Sequence, residues 1–190
     1  MISAIFGHFF DKPLSKITKK VKLNPNLLTI LGFLTTIVAA FIIPINLKLG
    51  GILIAVGSIF DMLDGVFART TGRVTRFGAF LDSVLDRYSD AFIFIGLALY
   101  FLKKIDHMSV FVCLLVLTGS FLISYTRARA EGLGESCNVG IMERPERVIL
   151  LVFATITGWL KPVLWIMLVL THITVFQRMH HVWKIMNKTG

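Results

Sequence analysis

The stretch Asp61-Met62-Leu63-Asp64-Gly65-Val66-Phe67-Ala68-Arg69 is followed, after eight residues, by Gly78-Ala79-Phe80-Leu81-Asp82-Ser83-Val84-Leu85-Asp86. Four of its acids stand within runs that are otherwise apolar enough for a membrane. A carboxylate in hydrocarbon is costly, and four clustered carboxylates also repel one another. Bound divalent cations remove both costs, so this stretch predicts a metal site inside a helical membrane protein.

Helical geometry brings the four acids together in pairs. At about 100° per residue, Asp61 and Asp64 lie roughly 60° apart on one helix, and Asp82 and Asp86 lie roughly 40° apart on the next. Two helices with a short connection are natural antiparallel neighbours, so the four carboxylates can converge on one or two cations. Oxygen ligands favour Mg²⁺, Mn²⁺ or Ca²⁺ over zinc. The alternative is a set of snorkelling or ion-paired acids in a helical bundle.

Small residues accompany the acids. Gly65 and Ala68 are one turn apart beside the metal face, and Gly78 is one turn before Asp82. They leave room for a bulky ligand to approach both backbones, and Arg69 offers a fork for phosphate oxygens. Small residues alone would more often indicate close helix packing in lipid, but beside four acids they favour a phosphate ligand.

The whole pattern, Asp-x2-Asp-Gly-x2-Ala-Arg-x8-Gly-x3-Asp-x3-Asp, resembles the signature of the CDP-alcohol phosphotransferases, and every fixed position is filled. The resemblance implies an integral membrane enzyme with six transmembrane helices, usually a homodimer. Such enzymes move a substituted phosphate from a CDP-linked donor to an alcohol and release CMP.

The resemblance also implies roles for individual residues. The metal ligands would be Asp61, Asp64, Asp82 and Asp86, with two Mg²⁺ or Mn²⁺ ions, and Asp86 would also be the catalytic general base. The CDP donor would be bound by Gly65, Ala68, Arg69, Gly78 and Ser83. Asn26 and Thr29 join this set because the start of the first span contributes to cytidine binding in the family.

Composition agrees with a membrane enzyme. The 190 residues are 55% hydrophobic, and the mean hydropathy is +0.77, far from a soluble globule. Residues 1–22 predict an amphipathic interfacial helix on anionic lipid, in which phenylalanines alternate with lysines: Phe6, Phe9, Phe10, Lys12, Lys16, Lys19 and Lys20. A solvated basic tail is the alternative. Residues 23–190 would form one six-helix domain.

Hydropathy predicts an all-α chain with six spans, near 26–46, 49–70, 77–103, 108–131, 145–160 and 162–185. Of the 20 lysines and arginines, all but four fall on the side of the termini and the acids; the four are Lys48, Lys103, Lys104 and Lys161. The positive-inside rule therefore places both termini and the metal site on the cytoplasmic face of the cell membrane. The net charge of +9 fits anionic lipid and phosphorylated substrates, and the hydropathy argues against nucleic acid.

A second group of charges lies at the cytoplasmic ends of the last three spans. It comprises Arg127, Arg147 and Arg178 within the runs 125–131, 142–147 and 177–178. Several arginines at one face of a bundle would bind a phosphate dianion, although positive-inside topology with local Arg–Glu pairs is an equal alternative. The runs 127–134 and 140–147 resemble the branch of phosphatidylinositol-phosphate and archaetidylinositol-phosphate synthases. That resemblance implies that these three arginines hold the phosphate of inositol 1-phosphate, with Arg127 where some members carry lysine.

The expected reaction is therefore transfer of a substituted phosphate from a CDP-linked lipid to inositol 1-phosphate, with release of CMP. The acceptor could instead be glycerol 3-phosphate, serine or another alcohol, and the donor could be a soluble CDP-inositol. A divalent-cation transporter is a more distant alternative, which would require polar residues continuing towards the outer face. Asp90 extends the Asp82 and Asp86 face by another turn, either as a support for the site or as a structural acid.

Overall fold

The computed structural model describes residues 24–189, and all the regular structure in that range is helical. Six α-helices follow one another: α1 Pro25–Ile42, α2 Leu47–Thr70, α3 Arg76–Lys103, α4 His107–Glu131, α5 Arg144–Thr157 and α6 Leu160–Thr189. The all-helical prediction is confirmed, and each predicted span coincides with one of these helices to within a few residues. The amphipathic helix predicted for residues 1–22 lies outside the described residues.

Four helices are long and apolar enough to cross a membrane, namely α1, α2, α4 and the part of α6 that covers Leu160–Asn187. The chain is thus a multi-pass membrane protein. Helix α3 has 28 residues, but its acids and arginines all lie between Arg76 and Asp90. Helix α5 has only 14 residues, about 21 Å of helix, which is less than the roughly 30 Å hydrocarbon layer.

Short capped connections bring the first three helices side by side. The Asn46 side chain accepts a hydrogen bond from the Leu49 backbone N–H at 3.1 Å, and Thr75 Oγ1 accepts one from the Gly78 N–H at 2.9 Å. Each cap satisfies an amide that a helix start would otherwise leave without a partner. Because only residues 71–75 separate α2 from α3, the acids at the end of α2 and the start of α3 meet at the same end of the bundle.

The apolar core fills the opposite end of the bundle. Its buried side chains come from the second halves of α1, α3 and α5 and the first halves of α2, α4 and α6, and they include Ile43, Ile54, Phe94, Leu97, Val116, Leu151 and Met167. At this end Lys161 Nζ lies 2.7 Å from Asp106 Oδ2 and donates a hydrogen bond that lowers the pKa of Asp106 to about 2. The apolar core and the four signature acids therefore occupy different ends of one bundle.

Helices α1 and α3 touch through backbone at Gly96. A Cβ atom at this position would lie 2.6 Å from the Ala40 carbonyl oxygen and 2.9 Å from the Ala40 Cα. Backbone atoms cannot move aside as a flexible side chain can. Glycine is therefore required here by the close approach of the two helices, as is common between membrane helices.

We expect Gly96→Ala to lower the melting temperature of the detergent-purified protein, at a cost of about 1–3 kcal/mol from overpacking. Helix propensity alone would give the opposite sign, because alanine is favoured over glycine by about 1 kcal/mol in a helix interior. Gly65→Ala is the matched control, since a Cβ there meets only the flexible end of Arg69 at 3.2 Å. Equal melting temperatures for the two variants would show that the Gly96 contact does not limit stability.

Candidate active site

The four predicted metal acids lie together at the polar end of the bundle. Asp61 and Asp64 come from the last turns of α2, and Asp82 and Asp86 from the first turns of α3. Asp64 is buried, and it interacts electrostatically with both Asp61 and Asp82. Asp86 interacts in the same way with Asp82 and Asp61. The structure thus brings together the four acids that the spacing pairs.

The Asp64 carboxylate is only partly satisfied by hydrogen bonds. Its Oδ2 atom is buried and has no hydrogen-bond partner among the described residues, while Thr29 makes a hydrogen-bonding contact with the carboxylate. Asp61 is enclosed on another side, because a Cβ at Gly32 of α1 would lie 2.5 Å from Asp61 Oδ1. An orphaned carboxylate oxygen within a set of oxygen donors fits a divalent cation.

An arginine that the sequence did not assign to the site lies between the acids. Arg144, the first residue of α5, places NH2 at 2.8 Å from Asp61 Oδ2 and NH1 at 2.7 Å from Asp86 Oδ1. Its Nε lies 3.9 Å from Asp90 Oδ1. Within residues 24–189, no three His, Cys, Asp or Glu side chains stand close enough together to form a metal site by themselves. Two of the four acids, Asp61 and Asp86, are therefore ion-paired with one guanidinium, although the chemistry of all four suits a cation.

One cavity, of about 300 Å³, opens on the α1 side of the acids. Its wall contains six of the seven predicted donor-binding residues together with two of the acids: Asn26, Thr29, Gly65, Ala68, Arg69, Gly78, Asp64 and Asp82. A Cβ at Gly78 would lie 3.1 Å from Asn26 Oδ1, so the glycine keeps this wall open. We call this space the α1-side cavity.

A larger cavity, of about 440 Å³, opens on the other side of the acids, towards α4 and α6. Its wall contains Asp86, Asp90 and Arg144 and all three predicted phosphate-binding arginines, Arg127, Arg147 and Arg178. Ser83, the seventh predicted donor residue, lines this α4-side cavity and not the other one. Asp82 lines the α1-side cavity and Asp86 the α4-side cavity, so these two acids lie on the boundary between the cavities.

The three arginines have different partners. Arg147 NH2 donates to Asp90 Oδ2 at 2.6 Å, and both side chains are almost completely buried. Arg178 donates to two backbone carbonyls, Val139 O at 2.8 Å and Ile123 O at 2.5 Å. Arg127 forms an exposed pair with Glu131 at 2.8 Å. Arg127 is thus the most accessible of the three, and Asp90 is the buried partner of Arg147.

The segment between α4 and α5 is fastened to α6 beside the α4-side cavity. The Met142 N–H donates to Thr174 Oγ1 at 3.1 Å, and Arg178 holds the carbonyl of Val139. Gly140 has a φ of +136°, and a Cβ there would lie 2.5 Å from Thr174 Cγ2. Glycine is required at this position by both conformation and space. Arg178 is therefore a structural tie as well as part of the cavity wall.

Comparison with known proteins gives the family. A model of the CDP-alcohol phosphatidyltransferase family matches residues 22–177. The archaetidylinositol phosphate synthase of Pyrococcus horikoshii is 42% identical over 174 residues, which cover 89% of this chain and 90% of that protein.

Two solved structures have the same fold. The crystal structure of Mycobacterium tuberculosis phosphatidylinositol phosphate synthase with CDP-DAG bound matches with a TM-score of 0.82 and 35% identity, over 91% of this chain and 93% of that one. The crystal structure of that synthase in complex with manganese and citrate gives a TM-score of 0.81 and 35% identity, over 91% of this chain and 88% of that one. This chain, with its four signature acids gathered at one end of the bundle, therefore belongs to the CDP-alcohol phosphatidyltransferase family.

Proposed function

We propose that this chain transfers the substituted phosphate of a CDP-linked lipid to inositol 1-phosphate and releases CMP. The observation that carries the proposal is the boundary formed by Asp82 and Asp86, with a cavity on each side. A donor in the α1-side cavity and an acceptor in the α4-side cavity would meet at these two acids. The relatives support the substrates, since one solved relative holds CDP-DAG and two are named as synthases of inositol-phosphate lipids.

In this proposal Asp61, Asp64, Asp82 and Asp86 would hold two Mg²⁺ or Mn²⁺ ions, which would supply positive charge to offset the negative charge of the pyrophosphate and the leaving CMP. The manganese-bound relative supports a divalent metal. The remaining work falls to side chains of the chain itself. Asn26, Thr29 and Arg69 orient the nucleotide, and the small residues Gly65, Ala68 and Gly78 let it approach the helix backbones.

The transfer step is a substitution at phosphorus. A hydroxyl oxygen of the acceptor forms a bond to the lipid-bearing phosphorus, and the bond from that phosphorus to the oxygen of CMP breaks. The electron pair leaves with CMP, and the acceptor's proton passes to the Asp86 carboxylate as general base. Asp86 is suited to this role because it lines the α4-side cavity and also belongs to the acid cluster. The arginines of the same cavity hold the acceptor's own phosphate.

The membrane arrangement is part of the proposal. Residues 23–190 would form one domain that crosses the cell membrane six times. Helices α3 and α5 would cross it packed against the four more apolar helices. Residues 1–22 would lie on the cytoplasmic surface as an amphipathic helix. The charge distribution supports cytoplasmic termini and a cytoplasmic site, where a nucleotide donor is available. By analogy with the family, the enzyme would be a homodimer.

Cation transport is a poorer explanation of the acids. A transport path would need polar groups along the bundle beyond Asp90, but the next inward positions along α3 are filled by buried Ile93, Phe94 and Leu97. These side chains belong to the packed apolar core. The acids therefore face a site that opens at one end of the bundle.

The metal role predicts the behaviour of Asp82→Asn. We expect this variant to lower the rate of CMP release on the order of a hundredfold or more, because an electrostatic stabiliser of the reacting phosphates is lost. The assay uses purified enzyme, a CDP-lipid, inositol 1-phosphate and Mg²⁺. Asp106→Asn is the matched control, since it makes the same chemical change at the far end of the bundle. Full activity of Asp82→Asn, or full parent activity in chelator, would contradict the metal mechanism.

The base role predicts a different result for Asp86→Asn. The amide keeps an oxygen for coordination but cannot take a proton, so turnover should fall much further than donor binding. Donor binding is measured by the protection that the CDP-lipid gives against thermal unfolding. Equal proportional losses in binding and turnover would assign Asp86 to coordination alone.

The proposed phosphate-binding role of the arginines is best tested at Arg127, because its ion-pair partner Glu131 is exposed. Since hydrogen bonds to charged groups contribute about 1.5–3 kcal/mol, Arg127→Ala should raise the KM for inositol 1-phosphate about tenfold or more. The KM for the CDP donor should stay unchanged. Arg129→Ala is the control, because Arg129 is an exposed arginine of the same helix that does not line the cavity. Normal acceptor kinetics in Arg127→Ala, or equal use of unphosphorylated inositol, would overturn the pocket.

Arg147→Ala should behave differently from Arg127→Ala. It leaves Asp90 buried without its partner, so we expect a loss of about 3–5 kcal/mol of stability, whereas the exposed Arg127–Glu131 pair contributes at most about 1 kcal/mol. Melting temperatures of both variants measure the difference. Combining Arg147→Met with Asp90→Asn should restore part of the loss. A melting temperature of Arg147→Ala equal to that of the parent would show that the buried pair is not structural.

A further inference from the structure

Arg144 contacts two of the four signature acids at once. It stands at the start of α5, and its guanidinium reaches Asp61 on α2 and Asp86 on α3. Both contacts are shorter than 3 Å, at 2.8 Å and 2.7 Å. The Arg144 side chain is 24% exposed, so the pairs are formed largely away from bulk water, where charge pairing is strong.

Arg144 contacts one oxygen of each acid, Asp61 Oδ2 and Asp86 Oδ1. The other oxygen of Asp61, Oδ1, points at the backbone of Gly32, where a Cβ would come within 2.5 Å. The other oxygen of Asp86, Oδ2, lies 3.9 Å from Arg87 NH1. A cation that bridged the two helices through Asp61 Oδ2 and Asp86 Oδ1 would therefore compete with the N–H groups of Arg144 for the same oxygens.

A guanidinium suits this position because it is permanently charged and its planar fork matches carboxylate geometry. One such group can pair with two of the four clustered carboxylates, offset one of their negative charges and hold them at a fixed separation. A lysine, as a single point charge, could not bridge both in the same way. Since Arg144 also lines the α4-side cavity, its side chain has open space next to the acids.

We propose that Arg144 is a built-in competitor of the divalent cation, which holds Asp61 and Asp86 in place and releases at least one of them when a cation binds. The inference rests on the proposed metal site. It makes Arg144 a positioning residue, whose presence weakens metal binding while it keeps the acid cluster ordered. The positive charge of Arg144 offsets part of the negative charge that four clustered acids place within a membrane bundle.

The test measures direct binding of Mn²⁺ to the detergent-purified full chain. Binding is monitored as the loss of the electron paramagnetic resonance signal of free Mn²⁺. Arg144→Gln should bind Mn²⁺ about tenfold more tightly than the parent, since two charged hydrogen bonds no longer compete. Arg144→Lys, which keeps the charge but loses the fork, should fall between the two. The matched control is Arg87→Gln, which removes the same charge beside Asp86 from a residue that does not bridge the acids.

Stability gives a second readout that does not depend on activity. In chelator, Arg144→Gln should melt at a lower temperature than the parent, and saturating Mn²⁺ should remove most of that difference. If Arg144→Gln binds Mn²⁺ no more tightly than Arg87→Gln, or more weakly than the parent, the competitor role is wrong. If Arg144→Gln does not fold, an unchanged Mn²⁺ affinity of Arg144→Lys overturns it equally. Parent protein that binds no Mn²⁺ at all would instead overturn the metal site, so the two failures are distinguishable.

Discussion

The organisation of this bundle depends on the cost of placing carboxylates among apolar helices. Charged groups within a membrane bundle must be paired or must coordinate metals, and the chain gathers its inward-facing acids at one end, next to buried arginines. Arg144 lies between Asp61 and Asp86, and Arg147 is paired with Asp90. The opposite end can then be packed mainly with apolar side chains. The division into a reactive end and a stabilising end follows from this single electrostatic constraint.

Much of the fold and the pairing of the four signature acids could be predicted because the relevant information is local in the sequence. Hydropathy located the helices, and spacings of three and four residues placed Asp61 with Asp64 and Asp82 with Asp86 on common faces. Arg144 escaped prediction since it lies 83 residues from Asp61 in sequence, a distance at which no helical period connects residues. The pairing of Arg147 with Asp90, 57 residues apart, was missed for the same reason.

For Ser83, the family signature and the orientation of the helix point to different cavities. It follows Asp82, a predicted metal ligand, and the family resemblance assigns it to the donor, but neighbouring residues of a helix point about 100° apart. Ser83, Arg87 and Asp90 follow one another at helical spacing, and all three line the α4-side cavity, whereas Asp82 lines the other one. Adjacency in the sequence therefore does not show which cavity a helical residue faces. The rotation of the helix about its axis, once the acids fix it, does show this.

The arginines of the α4-side cavity make ligand binding and folding hard to separate. Arg178 ties α6 to α4 and to the segment before α5 through two carbonyls, and Arg147 neutralises a buried acid. Each has guanidinium hydrogens beyond those bonds, and Arg147 Nε has no partner among the described residues. A phosphate in this cavity would thus meet donors that the fold already holds rigid, which reduces the entropy lost on binding. The charges that keep the bundle together are in this way the same charges that prepare it for an anionic substrate.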